Sequence, residues 1–354
     1  MNREMINIYS DFLITTFGQA SAKNLSKALD NKISHDATTQ SLSEKLLTSR
    51  EYWKLVKPTI RQYESENAFI VIDDFILEKP SSEQNTVISY NFDHTINRSV
   101  MSMNIVNATY VTEEIQVPLD FEVVLKYGQE LDFKENKWKR SPFENKNILF
   151  RKILMNAKAN NILFKIVLAD IWFSSSENMI FIKYDLGKNF IFPIKDNRSV
   201  RLMNSEQKSY QAVSDLKLEE GIVYQARLAG VPFVVSLVKT VFYNKDGSVG
   251  VLFLVSSLTS LSANEIISGY QKRWRIEEQH KNLKQNVSIG KSPTSSEMAR
   301  LNHVFCAFVG ALKLECLRLS TGLNAFALRS KLYIKALKAS MAELIAIRSF
   351  NATL

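Results

Sequence analysis

Two short apolar segments that each end in aspartate constrain the fold of this 354-residue chain more than any other feature. Residues 68–74 read AFIVIDD, and residues 162–170 read ILFKIVLAD. Both segments have the length of a buried strand and are rich in β-branched or aromatic residues, which strands favour. The chain is therefore predicted to contain a sheet that carries carboxylates where its strands end.

The segments around these two strands predict an α/β fold with several parts. Residues 61–196 show strands first and then alternating helix and strand, which is typical of an α/β core with a mixed sheet. Residues 197–260 are rich in β-branched and aromatic residues and are predicted to form a β-rich insertion. Residues 261–294 return to helix and complete the core, and 295–354 form a helical C-terminal region.

The N-terminal 60 residues are predicted to be helical. A helix from about Arg3 to Phe17 is followed by SAKNLSKALD and, after a short turn, by HDATTQSLSEKL. Two short helices joined by a tight turn fit a helix-turn-helix, whose second helix would present Thr38, Thr39 and Gln40 outward to DNA bases. A plain helical hairpin fits the same pattern, and both interpretations remain open.

Composition favours a polyanionic partner and a reducing compartment. Lys and Arg outnumber Asp and Glu by 45 to 36, which gives a net charge of +9, and a basic surface gains affinity by displacing counterions from phosphates. The two cysteines have no disulfide or metal-ligand spacing. No signal peptide or membrane-length apolar run is found, so a soluble protein of the cytoplasm is expected.

The stretch YQKRWRIEEQHKNLK at residues 270–284 is the most informative motif. A helix from Ala263 to about Gln285 would place Tyr270, Arg273, Glu277 and Lys284 on one face, within an arc of roughly 60°. That face would offer a hydroxyl, a guanidinium, a carboxylate and an ammonium to a DNA strand and a metal ion. A solvated helix crossed by ion pairs is the alternative explanation.

The spacing Y-x2-R-x3-E-x6-K is similar to the signature of the insertion-sequence 4 family of bacterial DDE transposases, and the flanking text resembles the insertion-sequence 701 branch. The resemblance implies an RNase H-like core whose catalytic and metal-binding acids are Asp74, Asp170 and Glu277. Asp73 is an alternative to Asp74, because successive strand residues point to opposite faces and only one can face the site. The family register favours Asp74.

The resemblance also implies cofactors and DNA contacts. Two Mg²⁺ ions, for which Mn²⁺ can substitute, would promote in-line displacement at a phosphodiester. Arg273 and Lys284 would hold phosphates beside the scissile bond, with Tyr270 on the same face and Lys281 near it. Trp274 would either stack on a displaced base or pack in the core.

The activity implied by the family is strand cleavage and strand transfer at terminal inverted repeats. A homodimer would hold both ends of the element and join them to target DNA, at the nucleoid of a bacterial cell. The alternative is a catalytically inactive DNA-binding relic, or a repressor of transposition.

Overall fold

The structure is a computed structural model that describes residues 1–93, 96–132, 137–204, 209–243 and 247–351, with the backbone alone for 129–132, 137–140 and 349–351. The chain divides into two compact units. Ile60–Glu278 form one, here called the sheet unit, and Met1–Thr59 with Gln279–Leu354 form the other, called the helical unit. Within the described residues, no helix is both long and apolar enough to cross a bilayer.

The sheet unit contains all the strands that the structure describes. They are β1 (Phe69–Glu78), β2 (Ser89–Asp93), β3 (Arg98–Val111), β4 (Gln116–Val123), β5 (Gly128–Asp132), β6 (Lys137–Ser141), β7 (Ile166–Ala169), β8 (Asn189–Ile194), β9 (Ser199–Leu202), β10 (Gln211–Ala212), β11 (Val223–Leu228), β12 (Val234–Tyr243) and β13 (Val249–Ser256). Its helices are α5 (Lys146–Ala159), α6 (Ser176–Ile180) and α7 (Ala263–Gln271), and α8 (Trp274–Asn286) begins in it.

Eleven strands form one mixed sheet. At its centre, β1 pairs in parallel with β7, and β7 with β8, whereas β3 pairs antiparallel with both β1 and β4. Helix α5 lies in the crossover from β1 to β7, and α6 in the crossover from β7 to β8. The order β4-β3-β1-β7-β8 confirms the predicted α/β class with an RNase H-like core.

The β-rich segment continues this sheet and does not form a second one. Strand β13 pairs antiparallel with β8, and the order then runs through β12, β11, β9 and β10. The other sheet in the described chain is the two-stranded pair β5-β6. This segment is therefore joined to the central strands by backbone pairing at β8.

Helices cover both faces of the central strands. On one face, Val71, Leu168 and Ile191 share an apolar cluster with Ile266 of α7 and Ile276 of α8. On the other face, the ring of Phe150 in α5 stacks on Phe173 at 5.2 Å and meets Phe192 edge-on at 6.4 Å. The parallel strands are apolar on both sides, as expected of buried βαβ units.

The helix predicted over 263–285 is interrupted, and that prediction was wrong in this respect. α7 starts at a capping box formed by Ser262 and Glu265 and ends at Gln271, and α8 starts at Trp274. Between them the backbone bonds span three residues: Arg273 N–H donates to Tyr270 O at 2.9 Å, and Ile276 N–H to Arg273 O at 3.1 Å. This tighter 3₁₀-type turn shifts the angular positions that a single α-helix would give the motif.

The helical unit is built from α1 (Arg3–Thr15), α2 (Ala22–Ala28), α3 (His35–Glu44), most of α4 (Ser49–Tyr63), the end of α8, α9 (Glu297–Thr321) and α10 (Ala325–Asn351). Its core forms around α9. The hydroxyl of Tyr9 lies 3.0 Å from Nδ1 of His303, and Tyr52 packs edge-on against Phe305 and Phe308. The predicted N-terminal helices are confirmed.

Candidate active site

The first acidic position is the pair of neighbouring aspartates in β1. Asp73 is buried, and it shares its face of the sheet with Val71 and hence with the cluster under α7 and α8. Its Oδ2 accepts a hydrogen bond from Arg273 Nη1 at 3.1 Å. Asp74 points to the face that carries α5, where its Oδ2 accepts from Lys146 Nζ at 2.6 Å. The two carboxylates therefore have different partners.

Asp170 lies beside this pair at the end of β7. Ala169 pairs in parallel with Ile72, so Asp170, which follows the end of β7, lies next to Asp73 in the middle of β1. Oδ1 of Asp170 accepts hydrogen bonds from the backbone N–H groups of Trp172 at 3.0 Å and Phe173 at 3.4 Å. These bonds cap a short 3₁₀ turn and fix the carboxylate at the carboxyl edge of the parallel strands, where ligands of α/β sheets bind.

Burial and mutual repulsion make these aspartates reluctant to ionise. Burial, with a further contribution from the Asp170 carboxylate, raises the pKa of Asp73 to about 8. Burial and then the Asp74 carboxylate raise the pKa of Asp170. Carboxylates in a poorly solvated site behave this way when their negative charges are only partly compensated. The three aspartates thus form one electrostatic cluster.

Arg273 connects this cluster to the third predicted acid. Its Nη1 donates to Asp73 Oδ2 at 3.1 Å and to Glu277 Oε1 at 3.3 Å. Glu277 lies in the first turn of α8, one helical turn after Arg273, and its side chain is 39 % exposed. A single guanidinium nitrogen therefore stands between the carboxylates of Asp73 and Glu277.

The acids are not assembled around a common point in this arrangement. In the described parts of the chain, no three acidic, histidine or cysteine side chains are gathered closely enough to hold a metal ion. Asp73, and not Asp74, shares Arg273 with Glu277, whereas Asp74 contacts Lys146. The catalytic roles of Asp74, Asp170 and Glu277 stay predictions.

Tyr270 and Arg273 are packed together at the end of α7. The guanidinium carbon of Arg273 lies 6.0 Å from the centre of the Tyr270 ring, and the ring packs against the apolar cluster. Burial raises the pKa of the Tyr270 hydroxyl well above its usual value. Tyr270 is therefore a protonated hydroxyl beside the acids, and its predicted contact with DNA stays a prediction.

Three further predicted contacts lie on the exposed surface of α8. Trp274 is 64 % exposed, so its indole is not a core residue. Lys281 and Lys284 are exposed as well, and Nζ of Lys281 lies 5.0 Å from the centre of the Phe326 ring. All three side chains are accessible to a ligand, and their binding to DNA stays a prediction.

Thr38, Thr39 and Gln40 of α3 were predicted to face outward, and for Thr38 this prediction is wrong. It is fully buried, and its hydroxyl donates to the Ser34 carbonyl at 3.1 Å. A short helix that packs on a neighbour must bury one side, and Thr38 lies on that side with Leu42. Thr39 and Gln40 are exposed, although the Thr39 hydroxyl donates to His35 O at 2.9 Å.

Lys146, Asn107 and Trp172 also belong to this region and were not predicted. Lys146 pairs with Asp74, and its Nζ lies 5.4 Å from the centre of the Trp172 ring. Asn107 of β3 is buried and lies directly opposite Asp73 in the β1–β3 pairing. Trp172 lies two residues after Asp170, so the strand that ends in Asp170 could have drawn attention to it. The positions of Lys146 and Asn107 depend on helix placement and strand register, which leave no local sequence pattern.

Comparisons with curated proteins and with solved structures leave the family open. A search of curated proteins gave no match. Among solved structures, the crystal structure of Kluyveromyces polysporus Argonaute with a guide RNA matches at 13 % identity and a TM-score of 0.21, covering 84 % of this chain and 32 % of that one. The chain spans about a third of that protein, and a similarity at this TM-score says nothing about fold or function.

Two family models match the sequence itself. The model described as DDE superfamily endonuclease matches residues 1–212, which is more than half of the chain. The model described as transposase DDE domain matches residues 144–309. Neither description reaches the level of insertion-sequence 4 or its 701 branch, so that finer placement stays a prediction. The chain belongs to the DDE superfamily of endonucleases and transposases.

Proposed function

We propose that this protein is a transposase that cuts and rejoins DNA at the terminal inverted repeats of an insertion sequence. The observation that carries the proposal is the arrangement of Asp73, Asp170 and Glu277 in a chain of the DDE superfamily. The buried Asp73 of β1 and the half-buried Asp170, which follows β7, lie on adjoining strands, and Glu277 faces Asp73 across Arg273.

Asp73 is proposed as the first acid in place of Asp74. Asp73 lies on the face of the sheet that packs against α8. It also shares a hydrogen-bond partner, Arg273, with Glu277 of that helix. Asp74 is turned toward α5, where it forms an ion pair with Lys146. Its charge still acts on Asp170, so Asp74 would tune the site from the opposite face.

Mg²⁺, with Mn²⁺ as a substitute, fits this set of donors. Asp73, Asp170 and Glu277 offer only carboxylate oxygens, the ligands that hard divalent cations take. Burial raises the pKa values of Asp73 and Asp170, and the nearby charge of Arg273 offsets this only in part. When bound, a pair of such cations would activate the attacking oxygen and stabilise the leaving one.

The chain's own residues would position the DNA. Arg273, once it leaves an acid partner, would offer its guanidinium to a phosphate next to the scissile bond, and Lys281 and Lys284 would hold further phosphates. Trp274 has the exposure needed to stack on an unpaired base. Thr39 and Gln40 on α3 are the exposed residues proposed to read the inverted repeats.

The proposed complex contains two copies of the chain, one for each end of the element, and transfers the freed 3′-hydroxyls to target DNA at the bacterial nucleoid. The test uses the full-length protein, Mg²⁺ and a supercoiled plasmid carrying the repeats that flank the gene. Cleavage at the repeat boundaries, and none on a plasmid with scrambled ends, is the expected result. Specific binding without cleavage would instead identify a catalytically inactive DNA-binding relic or repressor.

A further inference from the structure

A cleft of about 380 Å³ opens beside the second acidic position and is not used by any role assigned above. One wall is the segment that follows Asp170 and includes Trp172, Ser174 and Ser175. The facing wall is formed where β8 ends and β9 begins, by residues that include Lys195 and Arg198. Pockets of roughly 300–1,000 Å³ are typical of small-ligand sites, and this one is at the lower end.

Trp172 gives the cleft an aromatic surface whose position is tied to the acids. Its side chain is 53 % exposed, although a large aromatic side chain gains most by burial. Its backbone N–H donates to Asp170 Oδ1 at 3.0 Å, and its ring lies 5.4 Å from Nζ of Lys146, the partner of Asp74. The ring therefore borders both the acidic cluster and the cleft.

The opposite wall carries positive charge. Arg198 Nη2 donates to Ser176 Oγ at 2.6 Å and to Ala229 O at 3.3 Å, which fixes the guanidinium in place. Its buried Nε has no hydrogen-bond partner among the described residues. Lys195 is exposed beside it, and no described lining residue of the cleft is acidic. The Glu177 carboxylate interacts with the charge of Arg198, so Lys195 is the cation of this wall that is most accessible to an anionic group.

We propose that the cleft holds one nucleotide of the DNA strand that runs through the acidic cluster, with its base stacked on Trp172 and its phosphate on Lys195 and Arg198. Every nucleotide offers a π-face and a phosphate, so the site would take a strand without regard to base. This inference rests on the proposed function and adds a subsite to it. The site reaches beyond the scissile phosphate on the Asp170 side.

The test measures binding of a fluorescently labelled single-stranded oligodeoxynucleotide to the full-length protein by anisotropy, with EDTA present to prevent cleavage. Trp172→Leu should weaken binding about tenfold, whereas Trp172→Tyr should keep most of the affinity because a ring remains. Lys195→Ala should lower the slope of log affinity against log salt by about 0.7. Lys217→Ala, an exposed lysine outside the cleft, should leave the slope unchanged.

Three results would overturn the inference. If Trp172→Leu binds the oligonucleotide like the wild type while the wild type still cuts its repeats, the cleft is not a strand subsite and the proposed function stands. If free thymidine monophosphate competes as well as the oligonucleotide, the cleft takes free nucleotides and not a strand. If the wild type neither binds nor cuts any DNA, the proposed function and the subsite both fail.

Discussion

At the scale of single residues, Asp73 and Asp74 of β1 can be distinguished most clearly as candidates for the first acid. Asp73 faces Arg273 and Glu277, and Asp74 faces Lys146. Asp73→Asn should reduce Mg²⁺-dependent cleavage at least about 1,000-fold, because a metal ligand contributes several kcal/mol in the transition state. Asp74→Asn should cost no more than about 10–100-fold, as expected for an outer residue. Plasmid cleavage rates measure both, and the reverse ranking would restore Asp74 as the first acid.

Arg273 should compete with divalent cations for the acids. Arg273→Ala removes its bonds to Asp73 and Glu277, which should lower the free energy of unfolding without metal by on the order of 2 kcal/mol. The same change should tighten Mn²⁺ binding in the absence of DNA. Urea unfolding and calorimetric titration measure the two effects.

Arg275→Ala is the matched control for this prediction, since the side chain of Arg275 forms an ion pair with Glu278 and both residues are exposed. It should change neither stability nor Mn²⁺ affinity appreciably. Weaker Mn²⁺ binding by the Arg273 variant would show that the guanidinium supports the metal site.

Asp120 of β4 is a buried acid away from the catalytic cluster. It accepts hydrogen bonds from Asn156 Nδ2 and the Phe121 backbone N–H, each at 2.9 Å. Burial raises the pKa of Asp120 to about 7; Glu122 adds to this, while the hydrogen bond from Asn156 and the charge of Lys152 oppose it. Relative to a value of 3.8, the folded state retains a proton that the unfolded chain has released.

Stability should therefore fall as pH rises from about 4 to about 7, through the contribution of Asp120. Asp120→Asn removes this dependence. The free energy of unfolding of the variant, relative to that of the wild type, should therefore rise by roughly 1–4 kcal/mol between pH 4 and pH 7.5. Urea unfolding at both pH values gives the difference. The exposed Asp215→Asn should follow the wild type, and a constant offset for the Asp120 variant would contradict the pKa argument.

One residue-scale prediction, the outward orientation of Thr38, is wrong for a physical reason. The apolar strands and the family resemblance mark Asp170, Glu277 and the Asp73–Asp74 pair as candidate acids. The family register favours Asp74, but it contains no information on which face of β1 is covered by α7 and α8. Thr38 was misassigned because the buried side of a short polar helix is set by its neighbours and not by its own pattern.

At the scale of elements, α7 must lie close to the sheet to deliver Arg273. Gly269 permits this approach, because an added Cβ would lie 2.9 Å from Ile191 Cδ1. Gly269→Ala should leave the free energy of unfolding nearly unchanged, since the end of the Ile191 side chain can move aside and alanine favours helix. Gly269→Leu should cost about 1–3 kcal/mol and slow cleavage by displacing Arg273.

Thermal unfolding and cleavage rates test this prediction. Asn264→Leu on the exposed side of α7 is the control, and it should affect neither quantity much. If the Gly269→Leu variant cuts DNA normally despite its lower stability, the position of α7 does not govern the site.

The helices and strands were largely predictable, but the joint between α7 and α8 was not. Apolar periodicity and the Ser262–Glu265 capping box predicted where the helical stretch begins. Residues 270–276 contain neither proline nor glycine, so nothing in their local preferences announces the 3₁₀-type turn at Lys272 and Arg273. The turn accompanies the bonds from Arg273 to Asp73 and Glu277, which are tertiary contacts.

At the scale of the whole molecule, the α/β class follows from strands that precede alternating helix and strand, and the RNase H-like core is what the family resemblance implies. Sequence could not show that the β-rich segment extends the core sheet, because the β13–β8 pairing joins residues about 60 positions apart. Nor could it show that the first and last stretches of the chain form one helical unit. Both features depend on long-range contacts that leave no local pattern.

The central claim is that Asp170 and Glu277 act with Asp73 in metal-dependent cleavage, and one assay tests it most directly. Asp170→Asn, Glu277→Gln and the exposed control Glu278→Gln would be compared with the wild type for Mg²⁺-dependent cleavage and for binding of repeat-containing DNA. Cleavage should fall by at least about 1,000-fold in the first two variants, with near-normal DNA binding, and the control should cleave normally. Wild-type cleavage by either the Asp170 or the Glu277 variant would contradict it.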